Sequence, residues 1–186
     1  MIKNSAYSYG WISIILHWVS ALTIVSLFAL GLWMDGLDYY SEWYQTAPHW
    51  HKSTGILLAG LTLFRMLWIF SGKRPNPHGS PLLSKIARLT HIALYLILFA
   101  IFISGYLIST ADNRDIEVFN WFSVPSFGSW FDNQEDVAGE VHELLAFGLI
   151  GLAIFHAAAA LKHHFLDRDN TLTRMLKPKS NKPGFK

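Results

Sequence analysis

The stretch VHELLAFGLIGLAIFHAAAALKH, residues 141–163, decides how this chain is read. Its length matches the ~20 apolar residues that cross ~30 Å of bilayer hydrocarbon as a helix. Yet it carries His142, His156 and His163, spaced by 14 and then 7 residues. At about 100° per residue, 14 steps leave a side chain only roughly 40° off, and 7 more add about 20°, so all three share one stripe. His142 and His156 would lie about 21 Å apart along the axis, at about 1.5 Å per residue. Ionisable groups inside a membrane span are costly and mark function. Two imidazoles on one face at two depths point to two metal centres, one above the other.

Three further blocks share this apolar character. With the first they give spans of about 11–34, 50–70, 89–110 and 141–161, in a chain of 186 residues that is 52% apolar and only 15% charged. The composition fits one domain, residues 1–186, and excludes an ordinary soluble bundle, whose helices would show polar faces. Aromatic residues gather at the block ends (Tyr7, Tyr9, Trp11; Trp33, Tyr39, Tyr40; Trp50; Trp68), as in interfacial belts. The first block is too long for a signal-peptide core and carries His17, so it is read as an uncleaved span. The fold class predicted is all-α, an integral membrane four-helix bundle.

Charge orients the bundle. Lys3, Lys73, Arg74, Lys85, Arg88, Arg168, Arg174, Lys177, Lys179, Lys182 and Lys186, with Arg65 and Lys162 near the same edge, place 13 of the 15 basic residues on one side. The positive-inside rule puts that side, and both termini, in the cytoplasm. The tail, residues 166–186, is a solvated end rather than a nucleic-acid site. The opposite face carries ten carboxylates against Lys52 and Arg114, a net of −8. Residues 111–139 mix acids with Phe119, Trp121, Phe122, Phe127, Trp130 and Phe131, which reads as an amphipathic outer cap that could include a short helix. The absence of cysteine excludes disulfides, iron–sulfur clusters, thiolate haem ligation and thioether-attached haem.

Depth sorts the remaining histidines. His51 and His142 lie near the outer side, His17 and His156 about two turns from the inner side, so each layer offers a pair at matching depth. Facing helices of a bundle build cofactor sites in this way. Imidazoles on opposite sides of a haem iron would leave it six-coordinate and suited to electron transfer. His49, two residues from His51, points about 200° around the helix, so only one of them faces the core. His51 is preferred because Gly55 shares its face and because it sits deeper. Two separated pairs make poor zinc sites, which want four ligands, or three plus water. His91 and His163, with Lys162, His164 and Arg88, lie near the cytoplasmic edge. They read either as snorkelling interfacial groups or as a polar pocket for haem propionates and a quinone. His78 reads as a solvated loop histidine.

The joint pattern resembles the bacterial cytochrome b561 family, four-span dihaem proteins of the inner membrane. The matching elements are Ile-Leu-His17-Trp, His51-Lys-Ser-Thr-Gly-Ile, Leu-Thr-His91-Ile-Ala-Leu-Tyr, Val-His142-Glu-Leu-Leu-Ala, His156-Ala-Ala-Ala-Ala-Leu-Lys-His163-His and the ending Asp169-Asn-Thr-Leu-Thr-Arg-Met. The resemblance covers nearly the whole chain. It implies two haem b groups, the outer held by His51 and His142 and the inner by His17 and His156, with His91 and His163 in a quinone and propionate region.

The function expected is electron movement between a quinone, ubiquinone by family habit, at the cytoplasmic side and an outer-face partner such as a periplasmic redox or carrier protein. Two alternatives stand beside it. One is a superoxide oxidase reducing ubiquinone, with Lys52 and Arg114 as its outer approach, although an acidic face opposes capture of an anion. The other is a structural or anchoring haem subunit of a membrane complex. Membrane lipid is the medium, no nucleic acid is expected, and dimerisation is left open.

Overall fold

The computed structural model describes residues 1–6, 8–72, 75–76 and 80–178. Tyr7, Lys73, Arg74, His78, Lys179, Lys182 and Lys186 lie outside the described residues. Four long helices dominate: α1 (Trp11–Asp35), α2 (Thr46–Ser71), α3 (Pro81–Thr110) and α4 (Gln134–Phe165). Each is long and apolar enough to cross a membrane. Their flanks carry Leu22, Leu67, Ile103 and Phe155 at 61–75% exposure, which is tolerable only against lipid.

The helix ends follow from local chemistry. Asn4 Oδ1 accepts from the Gly10 amide at 2.8 Å and from Ser13 Oγ at 2.7 Å, a remote cap for α1. Pro48 sits in the first turn of α2, where its missing N–H costs nothing. Ser80 caps α3 by accepting from Leu83 N at 3.3 Å, with Pro81 at the first helical position. α4 places Glu135 and Asp136 in its first turn and Lys162, His163 and His164 in its last, as the helix dipole favours. α3 begins eight residues before its apolar block and α4 seven before, because these capping and charged turns project beyond the hydrocarbon.

Inside the bundle the hydroxyls turn back on their own helices. Ser20 donates to the Leu16 carbonyl at 2.7 Å, Thr62 to Leu58 at 2.8 Å and Thr110 to Tyr106 at 2.8 Å. These bonds satisfy small buried polar groups and let backbones approach. Packing is uneven: α1 lies along α2 and α3 along α4, while the two pairs meet only sparsely.

Residues 116–124, within the segment read as an amphipathic outer cap, form an antiparallel hairpin, β1 (Ile116–Val118) against β2 (Phe122–Val124). Alternation explains it, since Ile116 and Val118 face inward at 3% and 0% exposure with Glu117 outward. Phe119 and Asn120, at φ 46° and 58°, close the turn. Ser53, fully buried on α2, ties the hairpin down by donating to the Glu117 carbonyl at 3.3 Å and accepting from Phe119 N at 3.1 Å. Ser53→Ala should therefore lower stability by about 1–2 kcal/mol, read as a lower thermal midpoint in detergent. An unchanged midpoint would show that the hairpin needs no such anchor.

Candidate functional site

Imidazoles line the seam between the two helix pairs. At the acidic end, His51 on α2 faces His142 on α4 with ring centroids 6.2 Å apart and planes at 66°. His142 Nδ1 lies 3.1 Å from the Ile101 carbonyl and 3.1 Å from Ser104 Oγ, both on α3. A carbonyl can only accept, so Nδ1 carries the proton and Nε2 keeps its lone pair. Such a partner orients a metal-binding histidine. His49 instead stacks edge-on against Phe119 of the hairpin at 6.1 Å, away from the seam.

Glycines make room for these rings. A Cβ on Gly105 would stand 3.1 Å from His142 Cε1, and one on Gly31 would stand 3.5 Å from His51 Cε1. A Cβ on Gly55, the small neighbour of His51 on its own helix, would meet nothing within 4 Å, so open space lies beside it. Gly31 and Gly105 belong to α1 and α3, and no pattern local to either histidine could reveal them.

At the basic end, His17 on α1 faces His156 on α4 with centroids 6.5 Å apart and planes at 74°. His91 on α3 comes within 5.0 Å of His156. Arg65 on α2 donates from Nη2 to His17 Nδ1 at 3.0 Å and lies over the Tyr95 ring at 5.7 Å. The Tyr95 hydroxyl is buried without a hydrogen bond among the described residues. Arg65 and Tyr95 were not assigned to a site from sequence. The signals were present: an arginine inside an apolar block, and a tyrosine one turn after His91 on the same face.

Do these pairs fit a haem iron? Two imidazoles on opposite sides of one iron, with about 2.0 Å per bond and about 1.1 Å from nitrogen to ring centre, would place the centroids about 6.2 Å apart. The 6.2 Å and 6.5 Å pairs meet this requirement, and the 5.0 Å contact of His91 does not. Each fitting pair also bridges the sparse seam, with one ring from α1 or α2 and its opposite from α4. No three or more His, Asp or Glu side chains gather around a metal position among the described residues. A two-imidazole site suits a metal that brings its other ligands with it, as iron porphyrin does. One contact must change on ligation. A guanidinium only donates, so Arg65 makes His17 Nδ1 an acceptor, whereas binding through Nε2 wants Nδ1–H. Were His17 to bind a metal through Nε2, the Arg65 contact would have to be given up.

The edge residues fall into two groups. His163 Nδ1 lies 2.9 Å from Asp167 Oδ2 and 3.3 Å from Asp169 Oδ2. Lys162 is held by Asp167, at 2.8 Å and 3.1 Å to its two oxygens, and Arg88 is exposed on the first turns of α3. The Lys162 hydrogen bonds keep the Asp167 carboxyl below the usual carboxylate range. On the acidic face Lys52 is exposed, while Arg114 is bonded to Asp112 and so holds that carboxyl low.

Comparison with known proteins agrees with this architecture. Residues 8–178 match the family model described as prokaryotic cytochrome b561. The chain is 49% identical over 183 residues to cytochrome b561 homolog 2 of Escherichia coli K12, covering 97% of each chain. It is 30% identical over 177 residues to the probable superoxide oxidase CybB of Yersinia pestis, covering 92% of this chain and 97% of that one. Cytochrome b561 homolog 1 of E. coli K12 is 27% identical over 165 residues, 88% of this chain and 93% of that relative. With four membrane-crossing helices and a match along almost its whole length, the chain belongs to the prokaryotic cytochrome b561 family, multi-pass electron-transfer proteins of the bacterial inner membrane that bind b-type haem.

Proposed function

We propose that this single-domain chain is a dihaem conduit that carries electrons across the membrane between an outer redox partner and a quinone near the cytoplasm. The observation that carries this reading is the pair of facing imidazole sets, 6.2 Å and 6.5 Å apart, on α4 positions separated by 14 residues. His51 and His142 would hold the outer haem, and His17 and His156 the inner one. When bound, each haem supplies a one-electron iron couple without an open coordination position. The protein's part is to orient those rings: Ile101 and Ser104 fix His142, and glycines at 31 and 105 admit the imidazoles. The basic end faces the cytoplasm, by the same charge asymmetry that places both termini there.

His91, His163, Lys162 and Arg88, all at the basic end, would receive the quinone headgroup and the haem carboxylates. Neutral imidazole can donate to and accept from a quinone oxygen, and the cations suit carboxylates. His91→Ala and His163→Ala should each slow oxidation of the reduced protein by a short-chain ubiquinone at least about tenfold, with both haems retained. Stopped-flow absorbance reads this directly, and unchanged kinetics in both variants would remove the assignment. A dimer would leave this chemistry intact, since each chain carries both layers.

Superoxide oxidation is the second reading, favoured by the name carried by the Yersinia relative. The acidic face opposes it, and Arg114 is neutralised by Asp112, leaving Lys52 beside His51 as the cation of that approach. Haem reduction by superoxide that speeds up with salt, as repulsion from the carboxylates is screened, would support this activity. No reduction at either low or high salt would end it.

A further inference from the structure

Past Phe165 the chain does not trail away from the bundle. The amides of Leu166 and Asp167 both bond the Lys162 carbonyl, at 2.8 Å and 3.2 Å, and the Asp169 amide bonds the His163 carbonyl at 3.0 Å. Arg168 takes the left-handed conformation at φ 53°, which folds the chain back. Further on, Met175 accepts from Trp18 Nε1 at 2.6 Å, and Arg174, 6% exposed, donates to the Asn76 carbonyl at 3.1 Å and lies over Tyr9 at 5.8 Å. These contacts hold the turn against α1 and the α2–α3 connection.

Helical i,i+4 spacing brings Asp167 to one ring nitrogen, and the reversal adds Asp169 to it. Asp167 and Asp169 flank His163 Nδ1 at 2.9 Å and 3.3 Å, with Lys162 also on Asp167. Asp169 is itself fixed by accepting from Thr171 N at 2.7 Å. The ionic contacts of His163 among the described residues are these two alone, and neither is aligned as a hydrogen bond in this arrangement. On the other helices, His17, Arg65, Tyr95, His91 and the exposed Lys85 and Arg88 are ionisable groups at the same end. Side-chain exposure falls from 38% at Asp167 to 22% at His163, so the cluster steps inward from solvent.

We propose that Asp167 and Asp169 are positioning residues for proton transfer: they keep Nδ1 of His163 protonated, leaving Nε2 as the nitrogen that hands protons to a quinone oxygen. This rests on the quinone reading above. Reducing one quinone to quinol takes two electrons and two protons. The two haems, when bound and each reduced by one electron, would supply those electrons and end oxidised. Each proton leaves Nε2 of a doubly protonated His163 for a quinone oxygen, forming O–H and breaking N–H; the ring is left neutral with its proton on Nδ1, and a proton from the water at this end rebinds at Nε2 once the quinol has left. A carboxylate that fixes one imidazole nitrogen as N–H determines what the other nitrogen can do. Without these partners the ring could present the wrong nitrogen or turn away.

The test is the double variant Asp167→Ala, Asp169→Asn, chosen so that the amide at position 169 can still accept from Thr171. Reduced full-length protein is mixed with a short-chain ubiquinone, and separately with ferricyanide, which takes an electron and no proton. The proposal expects haem content, spectrum and ferricyanide rate to match wild type, while the quinone rate falls at least about tenfold at saturating quinone. Added imidazole or another small weak acid should restore much of the lost rate, and Asp167→Glu alone should stay near wild type. A quinone rate equal to wild type would overturn the proposal. Loss of the ferricyanide rate or of haem would also overturn it, marking the turn as merely structural. If wild type reacts with ferricyanide but not with quinone, the quinone reading fails first and this inference falls with it.

Discussion

His142→Ala should halve the haem content of the purified protein and leave the remaining haem spectrally intact. His142 is the α4 side of the outer pair, and its removal takes away the ring that faces His51 at 6.2 Å. The inner pair lies 14 residues further along α4, three to four helical turns away, and shares no side chain with the outer one. His156→Ala should produce the mirror result, sparing the outer haem. His49→Ala is the control: its ring rests on Phe119 and not on the seam, so haem content should not change. Haem quantification with a reduced-minus-oxidised spectrum reads all three. Joint loss of both haems with unfolding, from any single layer, would instead favour the anchoring-subunit reading.

Gly105→Val should weaken the outer haem site while sparing the inner one. A Cβ there would press within 3.1 Å of His142 Cε1 and 3.4 Å of Nδ1, tighter than ordinary contact, and valine adds two methyls to it. The ring is pinned by the Ile101 carbonyl and Ser104, so it cannot yield without giving up those bonds. Overpacking of this kind costs about 1–3 kcal/mol, roughly a fivefold to 150-fold loss of affinity if it falls wholly on the bound state. Gly31→Ala should be milder, since its Cβ would stand at an ordinary 3.5 Å from His51, and Gly60→Ala should be silent, with nothing within 4 Å. Haem retention through purification ranks the three variants. Equal retention by Gly105→Val and Gly60→Ala would mean that the close approach at residue 105 is not needed to seat the ring.

Apolar block length made the fold class legible, because a bilayer imposes one simple requirement on every span. Helical periodicity likewise placed His142 and His156 on one stripe of α4, and the structure sets His51 and His17 opposite them. What the sequence concealed depends on approach between segments far apart in the chain. Ser53 reaches a hairpin more than sixty residues away, and Gly31 and Gly105 receive rings from other helices. The hairpin was obscured because the six aromatics of residues 111–139, three of them in the hairpin, look like an interfacial cap, while Ile116 and Val118 supply only two inward positions. Asp167 and Asp169 looked like ordinary tail charges. Asp167 meets His163 through i,i+4 spacing, and the left-handed turn at Arg168 brings Asp169 back onto the same ring.

The most direct measurement is the ratio of haem to polypeptide in the intact chain, purified after expression with ample haem supply and assayed as the pyridine haemochrome. Two haems of the b type per chain is the result expected from bis-imidazole seats at two depths of α4. A ratio of one, or colourless protein, would contradict that arrangement whatever the other assays return.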